Sequence, residues 1–179
     1  MRDPILTAFL QAQFAEGVAL AGSSDLLELL PLGMEEGPAD RYVAMFHAKG
    51  LVRQATGEIV EASDFAVGIH FHEDFLHTAD PPRLLTWIGP PNVWHANIRP
   101  PFICVGRVSP GASLSWLLHQ IHRVITYNKK TLREDDALNP AACQWARLNL
   151  HRFPVDTRPL RRRSIDLSVE AVAAPGDRQ

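Results

Sequence analysis

The chain has 179 residues, enough for one domain with a sizeable core, and 46% of them are hydrophobic, as in ordinary globular proteins. Its net charge of −2 gives no bulk electrostatic preference for nucleic acid or a membrane surface. No apolar run is expected to reach the length of a membrane span, and residues 1–5 lack the layout of a signal peptide. A cytoplasmic location is therefore expected, with Cys104 and Cys143 as free thiols.

The N-terminal segment predicts a helix. Apolar residues over positions 4–20 recur mostly at steps of three and four, which is typical of an amphipathic helix. Asp3 is the expected N-cap, and Pro4 suits the first turn. Residues 26–32 are apolar and short, so that a strand and a helical extension both fit. The apolar positions of the helix are Ile5, Leu6, Phe9, Leu10, Phe14 and Val18.

Short strands are predicted in the next part of the chain. Residues 42–47 fit one strand, and residues 50–62 fit two extended pieces around a turn. Residues 65–71 alternate apolar and other side chains with the period of a strand. Residues 80–83 form a proline-locked turn, and residues 84–88 fit a further strand.

Two helices are predicted after an irregular loop. Prolines and glycines punctuate residues 89–110, so little regular structure is expected there. Ser113 caps the first helix, and Asn139 with Pro140 opens the second. The buried stripe of the first helix is Leu114, Leu117, Leu118, Ile121, Val124 and Ile125.

The C-terminal tail is expected to be an extension over residues 154–179, partly ordered or flexible. Its basic run, residues 161–163, is interpreted as a solvated face. Residues 165–169 fit an edge strand, and residues 173–179 are expected to be frayed.

Three polar residues of the irregular loop suggest chemistry: His95, Asn97 and Cys104. A thiolate can carry an acyl group as a thioester, and a side-chain amide can stabilise the charge that develops when an amine attacks it. Free cysteines are usually small buried residues, but a loop setting beside an amide favours catalysis at Cys104. Cys143 lies among alanines on a predicted helix, where packing is the better interpretation.

This segment resembles the active site of ubiquitin-conjugating enzymes, which reads His-Pro-Asn, a short loop and then Ile-Cys-Leu. Here Ala96 replaces the proline, and the step from Asn97 to Cys104 is one residue shorter. Other motifs follow in the family's order. They are Ile-His-Phe-His-Glu-Asp-Phe over residues 69–75, Pro-Pro before a strand, and Asp-Asp-Ala-Leu-Asn-Pro-Ala-Ala over residues 135–142. The resemblance covers roughly residues 40–153, so that a catalytic domain is expected over residues 1–153.

The resemblance implies an α+β fold with an N-terminal helix, a four-stranded antiparallel meander, an active-site loop and C-terminal helices. Cys104 would accept a ubiquitin-like modifier as a thioester and transfer it to an amine, most often a lysine, of a target protein. Asn97 would stabilise the oxyanion, and Asp136 would position or deprotonate the amine. Asp135 takes that role if the alignment shifts by one residue, and His95 would support the loop. No cofactor or metal is implied.

The expected setting is bacterial. Fifteen arginines stand against three lysines, a bias that suggests a GC-rich genome. A conjugating enzyme of this kind in a bacterium points to ubiquitin-like conjugation operons of antiviral defence (Bil-type). The expected partners are an activating enzyme that docks on the N-terminal helix, a ubiquitin-like modifier, a target protein and a JAB-type deconjugating protease. Neither nucleic acid nor a membrane is expected as a partner.

Two other functions remain open at this point. The chain could be a non-catalytic scaffold with a conjugating-enzyme-like fold, or a cysteine hydrolase that pairs Cys104 with His95 or His119. Metal sites are less favoured. His70 and His72 alternate along a strand and fit a solvated face, while His119 and His122 lack a nearby third ligand.

Overall fold

The computed structural model describes residues 3–34 and 37–162. It is a mixed α+β fold with an N-terminal helix and a four-stranded antiparallel sheet. This much of the predicted architecture is confirmed. The elements are α1 (Pro4–Gly22), β1 (Leu27–Leu32), β2 (Arg41–Phe46), β3 (Gly50–Arg53), β4 (Ile59–Ala62), β5 (Phe65–His70), α2 (Pro81–Leu84), β6 (Leu85–Gly89), β7 (Ile98–Arg99), β8 (Phe102–Ile103), α3 (Leu114–Ile125) and α4 (Pro140–Leu148).

The main sheet has the order β1-β2-β5-β6, with every neighbouring pair antiparallel. Its strands alternate as the sequence predicts: in β5, Phe65, Val67 and Ile69 are buried while the residues between them are partly exposed. The buried face packs under α1 and α3, and a single apolar core fills the space between these layers.

The hairpin β3–β4 continues the hairpin β2–β5 beyond a bulge. Phe46 pairs with Phe65 and Gly50 pairs with Ala62, so three residues on one strand face two on the other. The predicted turn between β3 and β4 is confirmed, with Gly57 at a φ of +89°. This extension carries β3 away from the main sheet and towards the loop that follows β6, where Trp94 N–H donates to the carbonyl of Leu51 at 2.8 Å.

Helix α1 begins as predicted, with the Asp3 carboxylate accepting from Ile5 N–H at 2.8 Å. Its buried face differs from the apolar pattern, because Ile5 and Val18 are 71% and 50% exposed while Gln13 and Gly17 are buried. The burial of Gln13 and of Gly17 follows from the contact with α3. Gln13 Oε1 accepts from Leu114 N–H at 2.6 Å.

Gly17 lies where α1 meets α3 and β1. A Cβ added there would come within 2.7 Å of the Leu114 side chain and 2.8 Å of Leu29. The helix is also long and apolar enough to cross a membrane by length and composition alone, contrary to the expectation from sequence. In the structure, 28% of its most apolar window is buried inside the fold, and location stays a prediction.

Both C-terminal helices begin at the predicted caps. Ser113 Oγ accepts from Trp116 N–H at 3.1 Å, and Asn139 Oδ1 accepts from Ala142 N–H at 3.1 Å. All six predicted stripe residues of α3 are buried. A cap bonds a residue three positions away, and a buried stripe follows the helical period. Both features are therefore local in sequence and can be predicted from it.

The described part of the tail packs on the domain. Leu160 is 2% exposed and joins the core, and Asp156 accepts from Lys49 N–H at 2.8 Å. Val155 N–H donates to the Thr126 carbonyl at 2.9 Å. The chain therefore continues from residue 153 to residue 162 without leaving the fold. The predicted edge strand and frayed end lie outside the described residues.

The expectation of a solvated face for His70 and His72 is wrong for His72. Strand β5 ends at His70, and the chain then turns inward, so His72 is 3% exposed with its ring 5.9 Å from that of Phe75. Within residues 3–34 and 37–162, no group of three or more His, Cys, Asp and Glu side chains is arranged to hold a metal ion.

Gly50 offers a direct test of the packing at the bulge. A Cβ there would lie 2.7 Å from the ring of the fully buried Phe65 and 3.0 Å from the Ile125 carbonyl. Gly50→Ala is therefore expected to lower the free energy of unfolding by about 1–3 kcal/mol. Gly22→Ala is the control, because nothing lies within 4 Å of a Cβ at that position. Equal urea midpoints for the two variants would contradict the packing described here.

Candidate active site

The two strands β7 and β8 form a short hairpin that pairs Asn97 with Cys104. The register joins Ile98 to Ile103 and Arg99 to Phe102, and extending it by one residue beyond the strands sets Asn97 opposite Cys104. The Cys104 N–H donates to the Asn97 carbonyl at 2.8 Å. Side chains directly opposite each other in an antiparallel pair lie on one face, with Cβ atoms about 5 Å apart. The amide and the thiol therefore share one side of the hairpin.

This pairing explains the shortened step between the two residues. Only Pro100 and Pro101 lie between the innermost pair, Arg99 and Phe102, so the hairpin turns over two residues. Such a tight turn keeps Asn97 and Cys104 in register. Cys104 is partly exposed, as a reacting thiol needs to be.

The buried His95 side chain hydrogen-bonds the backbone of this segment. Its Nδ1 accepts from Asn97 N–H at 2.9 Å, so the proton of the neutral ring is on Nε2. The ring is 1% exposed and packs 4.1 Å from the ring of Tyr127, which stacks on Phe153 at 4.3 Å. Burial lowers the pKa of His95 to about 3, and Lys130 adds to this effect. The imidazole is therefore neutral at physiological pH.

The Asn97 side chain uses only its oxygen in hydrogen bonds within the described residues. Its Oδ1 accepts from Thr131 N–H at 2.9 Å, while Nδ2 has no acceptor among the residues that the structure describes. The residue is 8% exposed. Because Oδ1 is fixed by Thr131, the amide cannot rotate freely, and Nδ2 is held ready as a donor.

Asp136 lies on a loop whose two ends are both hydrogen-bonded to the His95–Asn97 segment. Thr131 contacts Asn97 at one end, and at the other Asn139 N–H donates to the Ala96 carbonyl at 3.1 Å. Between them, a 3₁₀ turn carries Glu134–Asp136. The Asp136 carboxylate is exposed and lies 3.3 Å from Arg133 Nε.

Asp135, the alternative to Asp136, is bound more closely by the same arginine. Its carboxylate accepts from Arg133 Nη2 at 2.7 Å and from Nε at 3.3 Å. This hydrogen bonding lowers the pKa of Asp135. The structure thus links Asn97 by hydrogen bonds to His95 on one side and to the Cys104 backbone on the other. The two aspartates have no direct bond to these residues and are connected to them only through the loop over residues 131–139.

Lys129 is part of the site, although the sequence did not reveal it. Its Nζ donates to the carbonyl of Val105, the residue after Cys104, at 2.6 Å, and to Gln120 Oε1 at 2.9 Å. Desolvation and Arg123 lower the pKa of Lys129, while Cys104 acts in the opposite direction. The only available signal was composition, since Lys129 and Lys130 are two of just three lysines in the chain.

Cys143 and the remaining histidines do not take part in this arrangement. Cys143 is buried on α4, its Sγ lies 3.6 Å from the Thr131 carbonyl, and burial raises the pKa of its thiol. The His119 Nδ1 lies 2.8 Å from the carbonyl of Ser115 on its own helix. Among the described residues, Cys104 Sγ has no hydrogen bond to an imidazole.

Comparison with known proteins does not assign the chain to a family. No protein-family model matches the sequence, and no curated protein matches it significantly. Function therefore has to be argued from the site itself.

Proposed function

We propose that this chain is a ubiquitin-conjugating-like transferase, built on a conjugating-enzyme-like version of its α+β fold. The observation that carries the proposal is the pairing of Asn97 with Cys104 on one face of the β7–β8 hairpin. It sets a partly exposed thiol beside an amide whose Nδ2 is unengaged within the described part of the chain. An acyl-transfer site needs this combination of nucleophile and oxyanion donor.

The proposed reaction has two steps. The Cys104 thiolate attacks the thioester that joins a ubiquitin-like modifier to its activating enzyme, and the activating enzyme's thiolate leaves. A lysine amine of the target then attacks the new thioester carbonyl, and Asn97 Nδ2 donates to the oxyanion that forms. The amine loses a proton as the C–N bond forms, and Cys104 leaves as a thiolate. Asp136, exposed beside Arg133, is the proposed group that positions the amine or accepts the proton.

The contacts of the histidines favour transfer over hydrolysis. A cysteine hydrolase needs an imidazole that can take the thiol proton. His95 uses Nδ1 to accept from Asn97 N–H and is buried with a pKa of about 3, so it is a poor base near neutral pH. His119 bonds through Nδ1 to the Ser115 carbonyl of its own helix, and within the described residues its ring makes no hydrogen bond to Cys104. His95 is instead proposed to hold the backbone under Asn97.

Helix α1 supports the proposed docking of an activating enzyme. Ile5 and Val18 are 71% and 50% exposed on it, so this helix offers apolar side chains that a partner could contact. The setting in a bacterial antiviral operon, with a JAB-type protease as companion, remains part of the proposal.

A thioester assay tests this function. The protein is incubated with a bacterial activating enzyme of the ubiquitin-like type, its modifier protein and ATP, and then run on a non-reducing gel. We expect an adduct that reductant removes, that Cys104→Ala lacks and that Cys143→Ala retains. No adduct from an activating enzyme that is itself charged would favour the non-catalytic scaffold.

A further inference from the structure

A continuous groove runs from the turn of the β7–β8 hairpin to helix α4. It consists of two adjoining cavities of about 510 and 520 Å³ that share Arg53 and Trp94. One cavity reaches Arg99 and Pro100 at the hairpin turn, and the other reaches Trp145 and Arg152. We call this surface, lined by Arg53, Trp94, Arg99, Trp145 and Arg152, the Trp94 groove.

The charge of the Trp94 groove is opposite in sign to that of the chain. Arg53, Arg99 and Arg152 are exposed, and no aspartate or glutamate lines either cavity. None of the three forms an ion pair within residues 3–34 and 37–162, whereas other arginines of the protein do. The chain as a whole carries a net charge of −2, so this concentration of positive charge is local.

Two of the three arginines lie against tryptophan rings. The Arg53 guanidinium lies 5.1 Å from the Trp94 ring centroid, and the Arg152 guanidinium lies 5.2 Å from that of Trp145. Such stacking limits the side chains to a few orientations, which lowers the entropy lost when they bind a carboxylate. Tryptophan and arginine are also the residues most enriched at the centres of protein interfaces.

We propose that the Trp94 groove binds an acidic, extended segment of the acceptor protein. Carboxylates of that segment pair with Arg53, Arg99 and Arg152, and its apolar side chains contact the tryptophans and Leu148, which is 81% exposed. Two open cavities in series suit an extended peptide better than a compact ligand. Single-stranded nucleic acid fits less well, because a guanidinium already lies over one face of each ring and leaves fewer faces for bases to stack on.

The Trp94 groove reaches the hairpin that carries Cys104, so binding there would affect transfer from the thiol. Arg99 belongs to the hairpin whose next pair outward is Asn97 with Cys104. A segment bound along the groove therefore holds its protein close to the thioester and raises the local concentration of its lysines. This inference rests on the proposed function for the identity of the partner, but the binding itself does not require catalysis.

Direct binding is the first test. The probe is a fluorescein-labelled peptide of about twelve residues, rich in glutamate with two leucines, and its anisotropy is followed with the full chain. We expect binding that weakens as salt is added, and that weakens at least about tenfold in the double variant Arg53→Glu/Arg152→Glu. The matched control is Arg41→Glu/Arg83→Glu, two exposed arginines outside the groove, and its affinity is expected to equal that of the wild type. Circular dichroism verifies that both variants fold.

Three outcomes would overturn the inference: no binding of the peptide, an equal loss in the control variant, or tighter binding of an oligothymidylate of similar length. The Cys104→Ala variant is expected to bind the peptide as the wild type does. If that holds and no thioester ever forms, the conjugation proposal fails while the acidic-segment site stands. If a thioester forms and the peptide does not bind, the groove proposal alone fails.

A discharge assay then tests whether the segment belongs to the acceptor. With Cys104 charged, an acidic peptide that contains one lysine should discharge the thioester faster than the same peptide with its glutamates replaced by glutamine. Arg53→Glu/Arg152→Glu should remove that advantage and leave discharge by free lysine unchanged. Equal discharge by the two peptides would contradict the assignment to the acceptor.

Discussion

Asn97→Asp is expected to slow transfer of the modifier from Cys104 by about 10²–10³-fold, the usual loss when one oxyanion donor is removed. The substitution keeps a side-chain oxygen in place to accept from Thr131 N–H, which the Asn97 amide now does at 2.9 Å. It removes Nδ2 and sets a carboxylate where the oxyanion would form. The loss should therefore fall on the chemistry more than on the fold.

Asn97→Ala separates the two roles of the side chain. Alanine removes the donor, and it also leaves Thr131 N–H without its acceptor, which costs about 1–3 kcal/mol of stability. Both variants should transfer slowly, but the alanine variant should also loosen the loop that carries Asp136. Hydrogen exchange at Thr131 should rise in Asn97→Ala and stay closer to the wild-type rate in Asn97→Asp.

Charging and discharge have to be measured separately. A carboxylate opposite Cys104 also disfavours the thiolate, so charging from the activating enzyme can slow in Asn97→Asp. Single-turnover discharge of a purified thioester to free lysine isolates the second step. An Asn97→Asp enzyme that discharges at the wild-type rate would remove Asn97 from the oxyanion role and leave it as a loop anchor.

Sequence patterns predicted those parts of the fold whose cause is local. The stripe of α3 follows from the helical period, and the caps at Ser113 and Asn139 bond residues only three positions away. The alternation in β5 likewise needs no knowledge of its partners, because successive side chains of any strand face opposite ways.

The features that the sequence did not predict depend on contacts between residues distant in sequence. Gln13 is buried on α1 because it caps Leu114, which lies 101 residues away. Gly17 is buried because α3 and β1 approach it closely, and His72 because the chain turns inward after β5. No periodicity within α1 or β5 contains that information.

The candidate site shows the same division. The order of His95, Asn97 and Cys104 is evident from the sequence, and the structure hydrogen-bonds Asn97 to each of the other two. The sequence did not show that the spacing sets Asn97 opposite Cys104, because that pairing depends on a two-residue turn that sets the register of β7 and β8. Lys129 contacts Val105 from a loop after α3, and a position 24 residues away in sequence carried no motif to reveal it.

Acid is expected to destabilise the protein by several kcal/mol between about pH 6.5 and pH 4, mainly because two histidines are buried in their neutral form. Burial lowers the pKa of His95 to about 3 and that of His122 to about 4, from an ordinary value of 6.5. Each unit of such a difference corresponds to about 1.4 kcal/mol of stability.

The direction follows from proton binding. Below pH 6.5 the unfolded chain takes up protons on these imidazoles, while the folded chain does not until the pH approaches the lowered values. The stabilising contribution is therefore complete above pH 6.5 and is lost as the pH falls towards 4 and then 3. His47 opposes this trend, because its hydrogen bond with Asp64 raises its pKa, but it is partly exposed and its contribution is small.

Urea unfolding followed by circular dichroism at about pH 7.5, 6 and 4.5 measures this dependence. In His122→Gln the fall in stability should be smaller than in the wild type by roughly 2–3 kcal/mol over the full window, because one of the two groups no longer titrates. His77→Gln is the matched control, since that residue is exposed. Equal slopes for the two variants would show that His122 is not buried neutral. Because the pKa of His95 in the folded chain is about 3, its imidazole stays neutral beneath Asn97 throughout this pH range.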